Sequence, residues 1–222
     1  MVDASSILAL EVMAAKEQAK VYGPVFSRLV GISSVEFVAE KLKETAPAVN
    51  NLDQAVSFIT KSLGKYPKAF TAVAYGVYKT VSTLEGNSGA GTRCYRTLMK
   101  KVMESMGIGK MLGKATGTLD AVKKNTKFNE DMNTVEKGIT VIRGDNKGAS
   151  LTITGCDYTD VCTRTKKEGI VRAASCGLEC IYGLSDSATA EILTGVNHDY
   201  EVLKFEPPIC EYRVFGLEEY FK

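Results

Sequence analysis

The chain has 222 residues, 45% of them hydrophobic and 24% charged, enough to bury a core in one large domain or two small ones, and this excludes a disordered chain. A net charge of +2 singles out no class of partner. Asp3 and Glu11 interrupt the first segment where a signal peptide carries a basic start and an unbroken apolar run, and no apolar stretch reaches membrane-spanning length. A cytoplasmic chain with reduced thiols and no membrane insertion is therefore expected.

Taken in chain order, the first two thirds reads as helix. Ser33 and Glu36 form a candidate capping box, after which Val35, Val38, Ala39 and Leu42 share a face until Pro47. Leu52, Ala55, Val56, Ile59 and Leu63 repeat the helical spacing, and Gly64 supplies the stop. Pro67 opens a third helix that runs to Gly86, and a fourth is predicted from Thr92 towards Met106. The glycines of "MGIGKMLGKATGT", from Met106 to Thr118, predict a mobile loop, followed by a polar helix over 118–137. From Ile139 the period changes to alternation, and "ITVIR" and "ASLTIT" on either side of "GDNKG" predict a β-hairpin. A short helix from Asp157 to Lys167 and a longer one from about Val171 to Thr194 come next. The runs "DYEVLKF" and "ICEYRVF", separated by Pro207-Pro208, suggest a second hairpin. The expected fold is α+β: a helical N-terminal region over 1–117, then an antiparallel sheet backed by helices over 118–222, as two domains or one compact unit.

Three features raise chemical questions before the cysteines do. Gly86-Asn-Ser-Gly-Ala-Gly91-Thr92-Arg93 approaches a phosphate-binding loop, with Arg93 and Arg96 as weak anion-binding candidates, but it lacks the lysine after its last glycine and comes after a helix instead of a strand. A helix-to-helix turn is the better reading. Between Arg93 and Lys127 nine basic residues face two acidic ones, which suits an anionic partner or a solvated helix surface, and no DNA-binding motif accompanies them. His198, the one histidine, sits between the turn formers Asn197 and Asp199 and is read as a surface turn residue.

Five of the six cysteines lie between Cys156 and Cys210, while Cys94 stands apart. Cys176 and Cys180 are four apart on the predicted long helix and so would share a face. Cys156 falls at a strand end and helix start, where amides help to hold a thiolate, with Cys162 about a turn and a half further on. Cys210 alternates with Tyr212 and Val214 in the pattern of an inward strand face, from which it can approach Cys176 and Cys180. Three readings stand open: a thiolate-bound metal, close packing of small residues, and a catalytic or redox thiol pair. The spacings match neither a zinc ribbon nor a ferredoxin.

The hairpin over 139–154, "GCDYTDVC", "CGLECIYGLSDSATAEILTG" and "VLKFEPPICEYRV" resemble the 4-vinyl reductase domain of archaeal hydrocarbon-binding proteins and bacterial sensors of aromatic compounds. The resemblance covers about Ile139 to Val214, and Cys210-Glu-Tyr-Arg-Val214 carries the ending of that family. It implies an antiparallel sheet backed by helices, a homodimer, and a pocket for a small apolar molecule beside a metal site. In zinc-bearing members the ligands are a cysteine near the start of the long helix, a glutamate and a cysteine in the next strand, and a cysteine in the last strand. By position these are Cys176 or Cys180, Glu206 and Cys210. The strand cysteine is missing and Pro207-Pro208 replaces a glycine-containing link, so Cys156 and Cys162 are the candidates to complete the set. An all-cysteine set would favour an iron-sulfur cluster over zinc. The expected function is a metal-containing small-molecule-binding or sensory protein, with an iron-sulfur or thiol-dependent reductase or lyase, and a helical adaptor with a structural metal, as alternatives.

Overall fold

The computed structural model describes residues 3–85, 88–145, 148–170 and 180–220, with side chains at all of these except 88–96 and 219–220. It is α+β, as expected, with one four-stranded antiparallel sheet among the described residues. The residues form two compact units, one of 3–94 with 160–171 and one that holds 95–159 and 172–222.

The helical unit is built on α1 (Ala4–Tyr22), α2 (Pro24–Leu42), α3 (Leu52–Ser62), a 3₁₀ turn (Pro67–Thr71) and α4 (Ala72–Glu85). Asp3 caps α1 by accepting from the amides of Ser5 and Ser6. Pro24 stands at the first turn of α2, so this helix starts well before Ser33, which lies buried in its interior and forms no capping box. Asn51 caps α3, accepting from the Gln54 amide at 2.9 Å, while Gln54 Oε1 accepts from the Asn50 amide at 2.7 Å. Asn51→Ala should cost about 1 kcal/mol of stability in urea unfolding, the usual worth of such a cap; no change would show that α3 is held by packing alone.

The core of this unit lies between α2 and α4, where Phe26, Val30 and Val38 are buried with Val73, Val77 and Val81. From Asp160 onward, α8 (Thr159–Lys167) belongs to this unit as well. Tyr66 donates to Asp160 Oδ2 at 2.7 Å and Lys41 pairs with its Oδ1 at 2.9 Å. Tyr75 donates to Glu168 Oε2 at 2.8 Å, and Arg164 joins Glu168 to Glu40.

The sheet unit contains the C-terminal part of α5 (Ser88–Ser105), then α6 (Ile108–Leu112), α7 (Thr118–Asp131), β1 (Thr140–Asp145), β2 (Gly148–Thr154), α9 (Ile181–Thr194), β3 (His198–Glu206), β4 (Ile209–Gly216) and α10 (Leu217–Tyr220). The predicted loop from Met106 contains α6, because Gly107 and Gly113 take left-handed φ values of 75° and 67° at its two ends and leave the residues between them free to coil. The sheet order is β1-β2-β4-β3, all antiparallel. Its inner face carries Leu151, Ile153, Val202, Cys210, Tyr212 and Val214, covered by Ala121 and Val122 of α7 and by Leu184 and Ala188 of α9. On the outer face Arg213 bonds Asp145 at 3.1 Å and Glu201 at 3.2 Å. Charge outside and hydrocarbon inside is the division expected of a sheet packed on one face only. No described helix is long and apolar enough to cross a membrane.

Candidate functional site

α9 begins at Ile181, and Cys180 before it is extended (φ −109°, ψ 113°) and serves as the helix cap. Cys180 therefore does not present a helical face shared with residue 176, and Cys176 itself lies outside the described residues. The Cys180 sulfur accepts a hydrogen bond from the Gly183 amide at 3.3 Å, the position that a serine or aspartate oxygen usually fills. A sulfur at this place meets unpaired amides and the positive end of the helix dipole, both of which favour negative charge.

Cys210 reaches the same place from β4. In register it lies opposite Ile153 of β2 and Phe205 of β3, on the inner face with Tyr212 and Val214. The Cys180 thiol donates a hydrogen bond to the Cys210 sulfur, and this holds the Cys210 thiol below its ordinary value against the opposing effects of burial and the Glu211 charge. A relay thus runs from the Gly183 amide through Cys180 to Cys210. Both are free thiols, 6% and 7% exposed, so that a small reagent meets only their edges.

A buried polar network links α7, α9 and β4. Asp186 accepts from Asn125 Nδ2 at 2.6 Å and from the Tyr212 hydroxyl at 2.7 Å, and Thr189 donates to Asn125 Oδ1 at 3.2 Å. Burial pushes the Asp186 carboxyl up to about 6, against the pull of its two hydrogen bonds. Burial, and then the charges of Asp186 and Cys180, hold the Tyr212 phenol well above its ordinary value. Beyond the thiols, Tyr158 and Tyr182 meet edge to face at 5.7 Å.

The remaining predicted site residues do not join this pair as metal ligands. Glu206 is one residue beyond Phe205, which faces the Cys210 position, so the pleat turns it to the outer face, where it pairs with Lys204 at 3.0 Å. Cys162 belongs to the helical unit, and Cys156 is a buried thiol whose carbonyl accepts from the Thr159 hydroxyl at 2.6 Å. Among the described residues no three His, Cys, Asp or Glu side chains come together in a group able to hold a metal ion. Zinc and iron-sulfur clusters want about four such ligands. The reading as a cysteine-ligated zinc or iron-sulfur protein, in its binding, enzymatic and adaptor forms alike, is corrected on this finding.

A cleft of about 620 Å³ lies where α7 begins beside the end of the β1–β2 hairpin, lined by Thr116, Thr118, Leu119, Asp120, Lys123 and Asp145. His198 is the first residue of β3 and is buried, not a surface turn residue. Its Nε2 is 2.9 Å from the Thr118 hydroxyl and its Nδ1 is 2.7 Å from the Val196 carbonyl oxygen, which satisfies both ring nitrogens. Arg93 and Arg96 fall in α5, which starts at Ser88, so Gly89 and Gly91 are helical and form no phosphate loop; the side chains of both arginines lie outside the described residues.

The chain matches no protein-family model, no curated protein and no solved structure.

Proposed function

We propose that the protein is a dithiol switch, in which Cys180 and Cys210 form a disulfide reversibly and so join the start of α9 to β4. The observation that carries this reading is the hydrogen bond between the two thiols, which brings together residues thirty positions apart and favours ionisation at Cys210. A thiolate is the species that attacks a disulfide. The four described thiols, all free, suit the reducing cytoplasm expected from the sequence.

The oxidant is a low-molecular-weight disulfide. The Cys210 thiolate attacks one of its sulfurs, forming a mixed disulfide and expelling a small thiolate. The Cys180 sulfur, giving its proton to that thiolate, then attacks Cys210 and expels the second small thiolate, which takes a proton from water. Two protein thiols lose two electrons and one small disulfide becomes two small thiols. In the disulfide, Cys180 no longer donates to Cys210, and its sulfur is a poorer acceptor for the Gly183 amide, so oxidation acts directly on the first turn of α9.

The antiparallel order β1-β2-β4-β3, with α9 between the two hairpins in sequence and α7 and α9 packed behind the described sheet, supports relating the sheet unit to the 4-vinyl reductase fold. What the reading takes from that resemblance is the fold and the meeting of helix and last strand, with a dithiol in place of a metal.

The test is to equilibrate the full chain with mixtures of reduced and oxidised glutathione, block free thiols after an acid quench and map the cysteines by mass spectrometry. A Cys180–Cys210 link that forms in folded protein, reverses with reduced glutathione and is lost in Cys210→Ser is expected. Oxidation that leaves both thiols free, or that joins either one to another cysteine, would refute the switch.

A further inference from the structure

The first turn of α9 lies closer to β3 than a side chain at Gly183 would allow. A methyl group built on Gly183 would stand 2.4 Å from Cδ2 of Tyr200 and 2.9 Å from its Cε2 and Cγ, so the phenol ring rests on the bare backbone of the helix. Because Cγ is the near end of a rigid ring, it can yield only by a turn about χ1 or by a shift of the strand itself. In register Tyr200 is opposite Val214 of β4, which places it on the inner face along which Cys210, Tyr212 and Val214 alternate.

The glycine that permits this approach is also the one whose amide donates to the Cys180 sulfur at 3.3 Å. Three residues further along the helix, Asp186 accepts from the Tyr212 hydroxyl of β4 at 2.7 Å, and Leu184 between them is fully buried. On the other side β3 is fixed at its start by His198, whose ring meets the Thr118 hydroxyl at 2.9 Å. With the helix bonded to β4 and the strand held at its first residue, the separation at Gly183 decides where the head of α9 sits.

We propose that Gly183 and Tyr200 are positioning residues of the Cys180–Cys210 dithiol: the ring takes the space of a side chain at 183, seats the first turn of α9 on β3, and so sets the Cys180 sulfur where it reaches Cys210. The proposal rests on the dithiol reading, which it deepens. Neither residue takes part in the exchange of sulfur bonds. A disulfide needs its β-carbons about 3.8 Å apart and a narrow range of torsion, so a displacement of about 1 Å at the head of the helix is enough to strain it.

The experiment measures how far glutathione converts the pair to its disulfide in the full-length chain. Two protein thiols and one oxidised glutathione give one protein disulfide and two reduced glutathiones, and peptide mass spectrometry after an acid quench gives the equilibrium constant. Gly183→Ala is expected to lower that constant roughly tenfold, equivalent to a reduction potential about 30 mV higher. Tyr200→Ala, which removes the seat without adding a clash, should lower it about threefold, and the double variant should match Tyr200→Ala because the methyl then meets open space. Gly76→Ala, which crowds Ser34 in the helical unit, is the control for a general loss of stability and should leave the constant unchanged. A constant unchanged in folded Gly183→Ala, a fall shared by Gly76→Ala, or a tenfold cost of the methyl that persists without the ring would overturn the proposal. If Gly183→Ala alone does not fold, Tyr200→Ala carries the test, and an unchanged constant there refutes it. A wild-type chain that forms no Cys180–Cys210 link removes the dithiol reading itself, whereas a link that forms equally in wild type and variants leaves the switch standing and removes only its positioning by Gly183 and Tyr200.

Discussion

Gly76→Ala should lower the stability of the protein by about 3 kcal/mol, although alanine is the better helix former by about 1 kcal/mol. A methyl group at this position would stand 2.4 Å from Ser34 Oγ and 2.6 Å from the Val30 carbonyl oxygen. Neither neighbour can yield cheaply. Ser34 is fully buried and donates its hydroxyl to that same carbonyl at 2.7 Å, and Val30 belongs to the backbone of α2. The overlap can be relieved only by separating α2 from α4, which would open the core that Val38, Val73 and Val77 fill. Urea unfolding monitored by circular dichroism measures the loss, and a variant as stable as the wild type would show that the two helices are not held this close.

The second large effect is one of pH. Asp186→Asn should make the protein more stable than the wild type at about pH 8, by up to about 3 kcal/mol, and the difference should vanish towards about pH 4. The sign comes from the carboxyl's upward displacement from 3.8 to about 6. Below about pH 4 the group is protonated in both folded and unfolded chains. Between about 4 and 6 the unfolded chain ionises first, so stability falls with rising pH, and above that range the fold carries the full cost of a buried charge. The substituted amide can keep the hydrogen bond from Tyr212, and a turn of the Asn125 amide offers its oxygen to the new NH₂, with the Thr189 hydroxyl able to accept instead of donate. Unfolding curves at several pH values would decide the matter. A variant less stable than the wild type at pH 8 would mean that the two hydrogen bonds repay the burial of the charge.

These two sites show unequal legibility. The hairpins could be read from sequence because alternation in "ITVIR", "ASLTIT" and "ICEYRVF" reports a one-sided sheet, and the inward face of Cys210 comes from the same period. α3 could be read because Leu52, Ala55 and Ile59 keep the helical spacing and are the apolar residues it buries. By contrast Ser33 and Glu36 match a capping box but sit inside α2, where burial against the neighbouring helices outweighs a local preference. The tyrosines that hold α8, and the Gly76 contact, involve partners forty or more residues apart and leave no periodic trace.

The thiol site divides in the same way. By itself the sequence determined the α+β class, the clustering of cysteines in the C-terminal third, and a strand that turns Cys210 inward, because each depends on residue type and local period. The tertiary structure alone decided that Cys180 caps α9 instead of standing within a longer helix, that Glu206 faces outward, that His198 is buried, and that Asp186 joins Asn125 and Tyr212. A polar residue at a buried helical position, such as Asn125 four residues after Ala121, hints at such a network, but its partners come from other elements. The number of ligands within reach of one point is a property of packing, and packing here brings together two thiols, where composition alone suggested a metal.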